Sequence, residues 1–128
     1  MEHHRTSQEY LSSLTEPAKS WMTEFIGHME TKYPFIPLTM HEELPTFKFD
    51  NTYIAFSAGE NGFTLHTLDF YEIEELKTSF LKGKYEKGSI TVPYEDEESK
   101  TTLYYLIQKI IFEHIDTNME GGIFDTAD

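Results

Sequence analysis

Leu44-Pro45-Thr46-Phe47-Lys48-Phe49, then Asp50-Asn51, then Thr52-Tyr53-Ile54-Ala55-Phe56-Ser57-Ala58 is the stretch that decides the fold. Alternating aromatic and polar residues broken by a tight turn are the pattern of an antiparallel hairpin. A second turn at Gly59-Glu60-Asn61-Gly62 leads into a third strand over residues 63–67. Further on, Lys87-Gly88-Ser89-Ile90-Thr91-Val92-Pro93 reads as a turn followed by a strand over residues 89–92. Upstream, residues 38–43 read as another strand, with Thr39, His41 and Glu43 on one face. About five antiparallel strands are therefore expected, in a meander.

The flanks of this block read as helices. Residues 7–14 form a short one, and Thr15 stands as N-cap to the next, with Pro17 in its first turn. In that second helix Trp21, Met22, Phe25, Ile26, Met29 and Tyr33 recur at three- and four-residue spacing, a core-facing stripe that Pro34 and Pro37 end. Asp69 followed by Glu72 has capping-box spacing and opens a helix whose buried stripe is Ile73, Leu76, Phe80 and Leu81. Residues 83–88 read as a loop. The acidic run Glu95-Asp96-Glu97-Glu98 precedes a final helix over residues 99–117, where Leu103, Leu106, Ile107, Ile110 and Ile111 line one side. With no alternation of strand and helix to build a parallel sheet, the expected class is α+β, the terminal helices packed on one face of the sheet.

Composition narrows the functional classes. The chain has 128 residues, of which 38% are apolar and 15% aromatic, enough for one domain over residues 1–128 with flexible ends at about 1–6 and 119–128. A net charge of -13 argues against nucleic acid and anionic membrane surfaces, both of which need a basic face. The absence of Cys removes thiol nucleophiles, disulfides and cysteinyl metal sites, and fits a reducing compartment. With no apolar leader segment, a cytoplasmic location is expected.

Residues 43–115 resemble the YdhG-like domain family, a bacterial family of uncharacterised function. The resemblance is carried by Pro45, Phe47, Phe56, Ala58, Asn61 and the element Lys87-Gly88-Ser89-Ile90-x-x-Pro93. It implies an α+β domain and, because a bacillar relative is described as a frataxin-like iron chaperone, a weak iron carrier with iron as possible cargo. The chain departs from the family pattern at Glu43-Leu44 (Gly-Met in the family), Gly62 (His), Thr64 (Gly) and Val92 (Phe).

Candidate chemistry is sparse. Acidic patches at Glu42-Glu43 with His41, at Glu72, Glu74 and Glu75, and over residues 95–98 could hold a hard cation, but none has tight ligand spacing, and each also reads as solvated surface. His28, His66 and His114 lie where partly buried structural histidines are common. No Ser or Lys has a recognisable activating context, so no catalytic residue is assigned and no enzyme is expected. Lys87 and Ser89, with Pro45, Phe47 and Asn61, are the candidate binding residues, read as the rim of a small-ligand or protein-partner site. Turn chemistry at Gly88 is the plainer account of the Lys-Gly-Ser element. Two functions follow: a weak iron carrier, or an interaction or small-ligand module without metal.

Overall fold

In the computed structural model, residues 6–119 are described, with side chains through residue 114. Ten elements follow one another: α1 (Ser7–Ser12), α2 (Ala18–Lys32), β1 (Leu38–His41), β2 (Leu44–Phe49), β3 (Thr52–Ala58), β4 (Phe63–Thr67), α3 (Phe70–Ser79), β5 (Lys84–Glu86), β6 (Ser89–Val92) and α4 (Ser99–Met119). The strands make one six-stranded antiparallel sheet in the order β1-β2-β3-β4-β6-β5. The fold is α+β, as the strand and helix patterns imply. The expected flexible ends lie almost wholly outside the described residues.

Pleating sorts the strand residues cleanly. Phe47, Ile54, Phe56, Phe63, Leu65, Ile90 and Val92 point to one face and are buried there. The helices cover that face. Trp21, Met22, Phe25, Ile26 and Met29 of α2 and Leu103, Leu106, Ile107, Ile110 and Ile111 of α4 are all buried against it. The centre is an aromatic cluster in which Phe25 lies 4.7 Å from Phe63 and 5.7 Å from Phe56, ring centre to ring centre. Such contacts add to the large area each ring buries.

Several local expectations need correcting. The residue 38–43 strand stops at His41, because Glu42 and Glu43 adopt φ of 50° and 65° and form a two-residue hairpin turn between His41 and its partner Leu44. Glu43 therefore leaves the face shared by Thr39 and His41. Helix α2 starts at Ala18 rather than after Thr15, and the Glu16 carboxylate, not the Thr15 hydroxyl, accepts the Ser20 N–H at 3.1 Å. The stretch read as a loop at residues 83–88 contains β5, which pairs with β6 as a sixth, edge strand. Leu81 lies beyond the end of α3 and is exposed.

The Asp69–Glu72 capping box does not form, because both side chains are engaged elsewhere. Asp69 accepts from Thr52 Oγ1 at 2.5 Å and lies 2.9 Å from His114 Nε2. The other ring nitrogen, Nδ1, is 2.7 Å from Asp50, so His114 ties α4 to the β2–β3 turn and to the start of α3. Burial opposes a charge on this imidazole, but the bonds to Asp50 and Asp69 outweigh it and hold the pKa above the ordinary histidine value. Glu72 is only 3% exposed and is turned toward Lys109 and the Glu113 carboxyl. Burial first, then the neighbouring Glu113 carboxyl, raise its pKa to about 7, with Lys109 opposing.

Both shifts have the same sign for stability. His114 and Glu72 bind protons more tightly in the folded than in the unfolded chain, so their contributions are fully present below the unfolded pKa values and are lost as pH rises through the folded ones. These two groups therefore make stability fall between about pH 5 and 8, while His28 and His66, held below the ordinary histidine value by burial, work the other way. Glu72→Gln should flatten this slope and stabilise the protein at pH 8 by on the order of 1–3 kcal/mol, as measured by urea unfolding. An unchanged slope would contradict the assignment.

Candidate functional site

Among the described residues, the helices pack on one face of the sheet and leave the other open. Register brings one residue from every strand into a single row across that face: Thr39, Thr46, Ala55, His66, Ser89 and Glu86, each the cross-strand partner of the next. A second row pairs Lys48 with Tyr53, and a third pairs His41 with Leu44. Small residues in the middle row and long ones on either side make a depression. Thr46 and Ala55 are each only 4% exposed although no helix lies over them. They form the floor of a hollow of about 690 Å³ whose walls include His41, Leu44, Lys48, Tyr53, His66 and Leu68.

The polar groups of the hollow are ordered. Thr46 Oγ1 donates to the Leu44 carbonyl at 2.9 Å, and Thr39 Oγ1 to the Thr46 carbonyl at 3.3 Å. His66 Nε2 lies 2.9 Å from Ser57 Oγ, which fixes the ring plane. Burial lowers the His66 pKa, with the charge of Glu86 working against it, so the imidazole is neutral at pH 7. Ser57 lies inside a paired strand, opposite Thr64. It is not at a turn or helix start, where free backbone N–H groups could stabilise an oxyanion. The pair therefore positions an imidazole and lacks the surroundings of an activated nucleophile.

The expected rim does not assemble. Phe47 is completely buried in the core and Pro45 is buried beside it, because alternation along β2 sends them to the helical side, while Thr46 and Lys48 face the hollow. Asn61 sits in the β3–β4 turn, at the opposite end of β4 from the β5–β6 turn that holds Lys87. Lys87 lies over the Phe70 ring at 5.2 Å, and the Gly88 carbonyl accepts the Thr67 N–H at 2.9 Å. A Cβ on Gly88 would come within 2.7 Å of Thr67 O and Phe70, so the Lys-Gly-Ser element works as a close-packed turn. Ser89 alone among the five candidates points to the open face, next to His66. The lining residues that sequence reasoning missed, Thr46, Lys48, Tyr53 and Ala55, carry a usable signal, being the period-two complement of the buried strand residues, and His66, read there as structural, shares that face.

Among the described residues, the acidic patches do not gather into a metal site. His41 and Glu42 are 3.4 Å apart but largely exposed. Glu72 and Glu75 face Lys109, Asp96 faces Lys82 at 3.5 Å, and Glu97 faces Lys100 at 2.8 Å. These acids each have a lysine beside them, and among the described residues no three His, Asp or Glu side chains converge on a point where a metal could sit. Nor is any helix among the described residues long and apolar enough to cross a membrane.

A known fold emerges from comparison. No family model and no curated protein matches this chain. Among solved structures, the 1.75 Å crystal structure of YdhG, a DUF1801-family protein from Bacillus subtilis, superposes with a TM-score of 0.72. The match covers 85% of this chain and 90% of that one at 21% identity, and at that identity it speaks for the fold. The chain is thus an α+β protein of YdhG-like fold with one bare, hollowed sheet face.

Proposed function

We propose that this protein is a cytoplasmic, non-enzymatic module that binds a small ligand in the hollow of its open sheet face. The observation that carries this reading is the burial of Thr46 and Ala55 on the floor of a hollow that, among the described residues, is lined by the strands, Glu42 and Leu68 and by no helix. A preformed concavity with an apolar floor and a few placed polar groups is the usual form of a ligand site. The positioned, neutral His66 and the Tyr53 hydroxyl supply directional contacts, while Ser57 has no oxyanion-stabilising partner to make the site catalytic.

Ala55→Phe tests this, since it fills the floor without touching the helix-covered core. A thermal-shift screen of small organic compounds should yield stabilising compounds for the wild type, by up to a few degrees at saturating concentration, and Ala55→Phe should abolish their effect while remaining folded. Compounds that stabilise both proteins equally would place the site elsewhere.

A further inference from the structure

We propose that the ligand of the hollow is a small amphipathic organic acid, a monocarboxylate with an apolar tail, whose carboxylate is held by Lys48 beside Tyr53. This inference rests on the hollow being the binding site.

The charge pattern of the lining points to an acid. Lys48 is the one permanent cation of the lining, and among the described residues no carboxylate is paired with it, so its charge is open to a ligand. The acid of the lining, Glu42, stands at the rim 3.4 Å from His41. A charge-assisted bond to this lysine is the strongest contact the lining can offer an acid. Tyr53, the direct cross-strand partner of Lys48, places a hydroxyl donor at the same end.

The rest of the floor points to the tail. Thr39 and Thr46 have already donated their hydroxyl protons to backbone carbonyls, so what they offer a ligand is methyl groups and lone pairs. Ala55 continues this surface, and Leu44 closes the end away from Lys48. Four residues along β2 separate Leu44 from Lys48, roughly 13 Å at the rise of an extended strand. That length suits a medium-chain acid lying along the strand, head on Lys48 and tail on Leu44.

Calorimetric titration at pH 7.5 with octanoate, octan-1-ol and octylamine tests the proposal, using the wild type, Lys48→Met and Ala55→Phe. Lys48→Met keeps the apolar stem and removes the charge. Octanoate should bind the wild type one to one and at least tenfold more tightly than octanol, with octylamine weakest. Lys48→Met should weaken octanoate about tenfold and leave octanol unchanged. Equal binding of octanol and octanoate, lost in Ala55→Phe, would overturn the acid while keeping the hollow as the site. Octanoate affinity unaltered in Lys48→Met would overturn it too, and absence of binding by all three would remove both readings.

Discussion

Phe56→Ala should cost about 3–5 kcal/mol of stability, a large fraction of what a domain of this size possesses. The ring is fully buried on β3 and meets Phe63 at 5.4 Å, Phe25 at 5.7 Å and Phe47 at 5.9 Å. Its removal leaves a void bounded by two neighbouring strands and α2, none of which can collapse inward without breaking the strand ladder. Urea unfolding monitored by circular dichroism measures the loss. A cost below about 1 kcal/mol would mean that the helices do not pack on this face as described.

Gly62→Ala should be nearly as damaging although it adds one methyl group. A Cβ at Gly62 would lie 2.3 Å from the Val92 carbonyl oxygen and 2.9 Å from its carbon, and the backbone φ is +157°. Val92 is the ladder partner of Phe63, so its carbonyl cannot retreat without opening the β4–β6 pairing. Overpacking and an unfavourable φ together are expected to cost about 2–5 kcal/mol. Gly59→Ala, three residues earlier in the same turn, is the control: its added Cβ meets nothing within 4 Å, and less than about 1 kcal/mol of change is expected. Equal effects at the two positions would contradict the close approach of the β3–β4 turn to β6. No side chain fits at Gly62 in this turn, so any residue with a Cβ there would require the turn to be remodelled.

Much of the architecture was legible in local pattern. The aromatic alternation of residues 46–58 and the stripe from Trp21 to Tyr33 each have one physical solution, a pleated strand buried on one side and a helix buried on one side. The turn at Glu42-Glu43 was not legible, because two glutamates give none of the Gly, Asn or Asp chemistry that marks positive φ. Strand β5 was missed because Lys84 and Glu86 are exposed edge residues flanking the half-buried Tyr85, three residues too polar to be told from a loop. The link from His114 to Asp50 and Asp69 spans distant parts of the chain and needs the tertiary fold.

The five candidate binding residues do not come together, for a different reason. Pro45, Phe47 and Asn61 were chosen for their family likeness, and such positions record what the fold requires as readily as what a ligand requires. The pleat already separated Phe47 and Phe49 from Thr46 and Lys48, and following that alternation across β2 and β3 would have led to the open face. The strand order and register that align Thr39, Thr46, Ala55, His66 and Ser89 in one row become visible only in the folded protein.

Amide chemical-shift mapping of the isotopically labelled protein, titrated with compounds that stabilise it, tests the ligand site most directly. The largest shifts should cluster at Thr39, Thr46, Lys48, Tyr53, Ala55 and His66 on four adjacent strands, and saturate with concentration. Saturable shifts confined to the helical side, for example around His28 and Tyr104, would contradict the open sheet face as the site.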